Sequence, residues 1–309
     1  MLRLWYWLNR RSPTTFKPVI LVTGCGSGIG AAIAELLYSE GNYRVVVTAR
    51  KESVRVLREK FPENERFLVR ELDVTNESQR TALILEIESK WRGINILVNN
   101  AGISYRAVVE HMTEADEQLQ MAANYFGPMG LIRGALPKMR EIGRGKIINI
   151  SSVSGMLAMP TMASYSASKH ALEGASEALW YEMRPLGINV TLIQPGFIRS
   201  NSFQRVYHTE RSRPGNGEVA YRDYYDNMGP FIERLMNRSL TSPSSVARLV
   251  LRVIQTENPP LRIPATIDAS IFYYLHRWIP RRWFHRLLFS LLPGARRWGI
   301  GYTNRRRKP

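Results

Sequence analysis

Between residues 18 and 193 the chain alternates six short apolar runs with helical stretches. The first run is Pro18-Val-Ile-Leu-Val-Thr23, and the others fall at Arg44–Thr48, Arg66–Val69, Ile94–Val98, Lys146–Ile150 and Asn189–Ile193. Between them the spacing predicts helices over Ile29–Ser39, Ser53–Lys60, Ser78–Trp91, Glu117–Arg140 and Ser164–Met183. Runs that are apolar throughout, rather than at every second position, are buried on both faces, as in a parallel sheet covered by helices. The expected fold class is therefore α/β, with one doubly wound parallel sheet.

The chain has 309 residues, enough for one such domain with extensions. Its 44% hydrophobic content excludes a disordered chain. After the sixth run the rhythm breaks. Residues 201–243 are polar and punctuated by Tyr207, Tyr221, Tyr224 and Tyr225, which suggests a partly helical lid over the site. Ser244–Glu257 reads as a further amphipathic helix. Of the net charge of +17, residues 1–18 carry +4 and residues 269–309 carry +10, leaving +3 for the body. The expected organisation is a basic arm over 1–18, a domain over 19–268, and a basic amphipathic extension over 269–309. A nearly neutral body argues against nucleic acid as a partner, while basic ends suit an anionic lipid surface. The apolar stretches in the two ends are too short to span a bilayer. Cys25 is the only cysteine, so there is no intrachain disulfide, and a reducing compartment is compatible.

Thr23-Gly-Cys-Gly-Ser-Gly-Ile-Gly30 lies between an expected strand and an expected helix. Glycines there let main chain approach a pyrophosphate, and the helix start supplies N–H groups and a positive dipole end. Asn99-Asn-Ala-Gly102, Tyr165-Ser-Ala-Ser-Lys169 and Pro195-Gly196 follow in that order. Together these motifs resemble the classical short-chain dehydrogenase/reductase family over roughly residues 19–257, and the extension of Pro260-Leu-Arg-Ile-Pro264 with the helical pair after it looks like that of the steroid- and retinol-dehydrogenase-like subset. The resemblance implies a single Rossmann domain holding both a nicotinamide cofactor and the substrate.

Tyr165 and Lys169 lie four residues apart and share one face of a helix. A cation beside a phenol lowers the phenol pKa from ~10, so this tyrosine could exchange a proton with an alcohol oxygen. Ser152, thirteen residues earlier, matches the family's catalytic serine, with Ser151 the adjacent alternative. Its hydroxyl would stabilise charge developing on the substrate oxygen. Asn124 matches the asparagine that supports a water-linked proton path to the lysine. The implied catalytic set is Asn124, Ser152, Tyr165 and Lys169.

The resemblance also implies cofactor contacts. Thr23, Gly24, Ser27, Gly28, Ile29 and Gly30 form the phosphate loop. Asp73 would meet the adenine, unless it serves as a helix cap. Asn99 and Gly102 would shape the adenine-ribose pocket. Pro195, Gly196 and Ile198 would flank the nicotinamide, with Ser200 where the family usually has threonine, and Tyr165 and Lys169 would touch the cofactor as well. After the second run stands Thr48-Ala49-Arg50-Lys51, with no acid for a ribose 2′-hydroxyl and an Arg50 suited to a 2′-phosphate. The expected cofactor is NADP(H). The five histidines show no metal-ligand spacing with a supporting acid, so no metal is expected.

Arg281–Leu292 places apolar residues at 283, 284, 287, 288, 291 and 292, one broad helical face beside arginines. That pattern fits a helix lying in a bilayer interface, although packing on the domain would use the same face. The expectation is an oxidoreductase passing hydride between nicotinamide and a carbonyl or alcohol of a lipophilic steroid, retinoid or fatty substrate. Its expected place is cytoplasmic and peripherally membrane-associated, with a homodimer through the Tyr165 helix as a further implied partner. The alternative is a non-catalytic NADP(H)-binding sensor or scaffold at a membrane surface, which would have no need of all four catalytic residues.

Overall fold

The computed structural model describes residues 17–200, 206–213 and 220–299. Seven parallel strands form one sheet: β1 Val19–Val22, β2 Arg44–Ala49, β3 Phe67–Glu71, β4 Ile96–Asn99, β5 Gly145–Ile150, β6 Ile188–Gln194 and β7 Arg262–Pro264. Their order is β3-β2-β1-β4-β5-β6-β7. Pairing is in parallel register throughout, for example Ile20 with Val45 on one side and with Ile96 on the other. The order reverses between β1 and β4, which opens a crevice at the carboxyl ends of those strands.

Strand residues alternate between two apolar layers. Ile20, Val22, Val45 and Val47 face α1 (Gly28–Glu40), α2 (Lys51–Lys60) and α8 (Pro243–Gln255). Val19, Leu21, Val46 and Leu97 face α3 (Glu77–Trp91), α5 (Gly127–Ile142) and α6 (Ala163–Met183). Burial on both faces is why the strand sequences are apolar at every position.

Two elements differ from expectation. The long helix expected over Glu117–Arg140 is α4 (Glu114–Met121), a π turn over Ala122–Phe126, and α5. Pro128 has no N–H to offer the Asn124 carbonyl four residues back, so a regular α ladder cannot run through. The seventh strand, β7, was not expected because it has three residues and ends in a proline. It lies at the sheet edge, where proline is tolerated.

Part of the expected lid is α7 (Arg222–Arg238); residues 201–205 and 214–219 lie outside the described residues. So do residues 1–16 of the N-terminal arm and 300–309 of the tail. The tail helices are α9 (Ile267–Trp278) and α10 (Arg281–Leu291). Phe284 of α10 is fully buried against Val153 and Leu157, so one edge of this pair docks on the domain. Trp278, Trp283, Phe289 and Leu291 stay more than half exposed. No helix among the described residues is long and apolar enough to cross a membrane.

Candidate active site

A cleft of about 750 Å³ opens at the carboxyl ends of β1, β4, β5 and β6. Its first wall is the loop between β1 and α1. Gly24 has φ +71° and presses on Ala101, whose Cα lies 2.7 Å from where a Cβ would stand. A Cβ on Gly30 would run into the Gly24 carbonyl and the Asn100 side chain. Gly28, at φ +57°, faces open space. Ser27 is the N-cap of α1 but makes no capping hydrogen bond, so its hydroxyl and the first N–H groups of the helix are available at the cleft. These donors and the room beside Gly28 fit a dinucleotide pyrophosphate.

Thr23 is buried behind this wall. Its hydroxyl oxygen accepts from the N–H groups of Asn100 and Ala101, each at 3.0 Å, which locks the β1 and β4 loops together. Asn99 also lies behind the wall: its Nδ2 donates to Asn149 Oδ1 at 2.9 Å in a buried amide chain. Asn100, which the sequence reading passed over, lines the cleft instead and ties the main-chain oxygens of Thr23 and Gly24. The signal was the second amide of the Asn99-Asn100 pair: on a strand end, adjacent side chains point to opposite sides.

Arg50 caps α2 and reaches the rim, where its Nη1 donates to the Tyr207 hydroxyl at 3.1 Å. Glu52 already belongs to α2; its carboxylate lies 4.0 Å from Arg50 Nε, with both side chains largely exposed. Asp73 lines the cleft and accepts from Thr75 N at 2.9 Å and Thr75 Oγ1 at 2.7 Å through one oxygen. It makes a local turn; the N-cap of α3 is Asn76.

At the floor, Ser151 and Ser152 follow the end of β5, and α6 carries Tyr165 and Lys169. Ser152 Oγ accepts from Ser154 N at 3.1 Å, and its side chain hydrogen-bonds Tyr165. Ser151 Oγ is buried with no partner. Lys169 Nζ donates to Ile150 O at 2.9 Å and lies 5.9 Å from the Tyr165 ring centre. Burial brings the lysine down to about 8, against the opposing charge of Glu173. The Tyr165 hydroxyl stands above its ordinary value: burial outweighs the Ser152 hydrogen bond and the charge of Arg106. This corrects the expectation that Lys169 draws the tyrosine down.

Asn124 sits in the π turn. Its Oδ1 accepts from Ile103 N and its Nδ2 donates to Ile103 O and Ser168 Oγ, all at 2.9 Å. It thereby holds the loop of Gly102, which a Cβ would drive to 2.9 Å from Asn124 Oδ1. Pro195, Gly196, Ile198 and Ser200 line the opposite rim, with Gly196 N held by Thr266 Oγ1 at 2.9 Å. Cys25 is fully buried, and burial pushes its thiol up to about 12, so it takes no part. Among the described residues no group of three His, Cys, Asp or Glu is placed to hold a metal ion.

The family model described as short chain dehydrogenase matches residues 18–211. The chain belongs to this family. Among its relatives is a 3-ketodihydrosphingosine reductase of Bacteroides thetaiotaomicron, 34% identical over 263 residues, covering 85% of this chain and 93% of that protein. The dehydrogenase/reductase SDR family member 7B of Mus musculus is 34% identical over 206 residues, 64% of this chain and 62% of that one. A solved short-chain dehydrogenase from Streptomyces avermitilis superposes with a TM-score of 0.74 at 32% identity, covering 90% and 96% of the two chains. ElxO with NADP bound superposes with a TM-score of 0.65 at 26% identity, covering 81% and 98%. The protein is thus an oxidoreductase of the short-chain dehydrogenase family.

Proposed function

We propose that the protein is an NADP(H)-dependent enzyme that reduces the carbonyl of a lipophilic substrate, of steroid, retinoid or fatty type, with Tyr165 as the proton donor. The observation that carries this reading is the convergence of Tyr165, Ser152 and Lys169 on the cleft whose other wall is the glycine loop. When bound, the nicotinamide supplies hydride to the carbonyl carbon. Tyr165 gives its proton to the carbonyl oxygen, and Ser152 hydrogen-bonds that oxygen as charge builds on it. Lys169, near 8, changes protonation state close to working pH and is suited to return a proton toward Tyr165. Asn124 fixes the Gly102 loop, through Ile103, beside Lys169. Burial holds the Tyr165 hydroxyl above its ordinary value, so it carries at neutral pH the proton that reduction requires.

Arg50 supports NADP(H). It stands at the rim where β2 gives way to α2, and its tie to the exposed Glu52 is weak. Replacing Arg50 with Ala should weaken NADPH binding by about 10–100-fold, the range of a charge-assisted contact, and leave NADH binding unchanged. Fluorescence titration of both nucleotides reads this; equal loss for both would contradict it.

A lipophilic substrate is supported by the apolar wall of Met159, Met162, Ile232 and Met236, the last two on α7, which we read as the lid. The similarity to a 3-ketodihydrosphingosine reductase points the same way. The exposed aromatic residues of α9 and α10, beside Arg277, Arg282 and Arg286, support peripheral attachment to an anionic membrane.

A further inference from the structure

Beyond the pull of its charge on Tyr165, Arg106 has no role in the proton transfer itself. It stands on a short extended segment pinned from two sides: Tyr105 is bridged to Tyr207 and Ala107 to Met162. Arg106 N donates to Tyr207 O at 2.9 Å, and Ala107 N to Thr161 O at 3.0 Å. Tyr105 and Ala107 are buried, and the alternation of extended chain turns Ser104 and Arg106 together to the other side, where both line the cleft with Tyr165.

Neither residue is satisfied there. Nε and Nη1 of Arg106 and Oγ of Ser104 are closed off from solvent and have no hydrogen-bond partner. Among the described residues no carboxylate acts on the guanidinium; the titratable groups there that feel its charge are Tyr165 and His208. Burial brings Arg106 down only to about 10, so it carries its charge at neutral pH. Two donors of a cation shut off from water and left unfilled are costly unless something supplies the missing acceptors. The facing patch of Met159, Met162, Ile232 and Met236 is apolar, so an acceptor carried by what enters the cleft would complete these donors. A guanidinium fork matches the paired oxygens of a carboxylate or phosphate.

We propose that Arg106 and Ser104 form a receptor for an oxyanion on the substrate, a carboxylate or a phosphate ester, next to the carbonyl protonated by Tyr165. This deepens, and rests on, the reductase reading of the same cleft. The substrate is then amphipathic, with its acidic group at Arg106 and its apolar part against Met159, Met162, Ile232 and Met236.

The test is a calorimetric titration of the full chain loaded with NADP+, which cannot reduce a ketone. The probes are 3-oxodecanoate, its methyl ester and 2-oxodecyl phosphate. At least one anion should bind about 30-fold or more tightly than the ester, and Arg106→Met should erase that preference while leaving NADP+ affinity unchanged. Whichever anion binds better identifies the acidic group. An ester that binds as well as both anions overturns the proposal, as does an Arg106→Met protein that keeps the preference. Should Arg106→Met not fold, the wild-type comparison of ester and anions still decides. Anion preference without turnover of the same ketones by the NADPH-loaded protein would count against the reductase reading alone.

Discussion

On the side of β1 the cleft wall is a glycine loop packed closely on main chain, and on the side of β5 and β6 it is built of larger side chains. The first wall depends on contacts that only glycine permits: Gly24 against Ala101 and Gly30 against the Gly24 carbonyl. The second gathers Ser104 and Arg106 after β4, Met159 and Met162 after β5, Tyr165 on α6, Phe197 after β6, and Ile232 on α7. A main-chain wall offers the same N–H groups whatever the neighbouring side chains, so it suits a constant ligand such as a dinucleotide. A side-chain wall can change residue by residue while the sheet stays as it is, and it sets the substrate.

The sharpest way to break this contrast is in the glycine loop. Gly30→Ala should destabilise the fold by about 3 kcal/mol, because its Cβ meets main chain that cannot move aside. Gly28→Ala, facing open space at φ +57°, should cost about 1–2 kcal/mol from backbone strain alone. Denaturant unfolding of the two variants measures the difference, and equal costs would show that close approach is not what the loop requires.

The same contrast explains what could be read from sequence. The six apolar runs, the helices between them and the glycine loop were legible, because each is set by residues close together in the chain. The π turn depends on Pro128 acting four residues back on Asn124, a local signal masked by an otherwise unbroken helical pattern. The three-residue β7 has too little sequence to carry a period of its own; pairing with β6 makes it a strand. In the site, Tyr165, Lys169 and Ser152 were legible as a motif. Asn99 and Asn100 exchanged roles because strand phase decides which amide faces the cleft. Arg106 was passed over: its only signal is a lone charge between Tyr105 and the apolar Ala107-Val108, and its significance comes from strand-like bridges to residues far away in the chain.

A finer test concerns the side-chain wall. Glu173 raises Lys169 against the burial that lowers it. Glu173→Gln removes that support, so the inflection expected near pH 8 in kcat/KM for reduction should move to lower pH. A profile that stays in place or moves upward would show that Lys169 does not set it. The smallest effect on the fold is expected at the tail. Trp278 and Trp283 are more than half exposed, so replacing both with Ala should change stability by less than about 0.5 kcal/mol per site while reducing co-flotation with anionic vesicles. Unchanged flotation would favour a docking role alone for α9 and α10.

The most direct test of the account is NADPH oxidation by wild-type and Tyr165→Phe protein with a lipophilic ketone in micelles, after NADPH affinity has been matched by titration. The account predicts that the variant binds NADPH as the wild type does and loses turnover by about 1,000-fold, since the main-chain wall is intact and the proton donor is gone. A variant that binds NADPH and still turns over at the wild-type rate would contradict it.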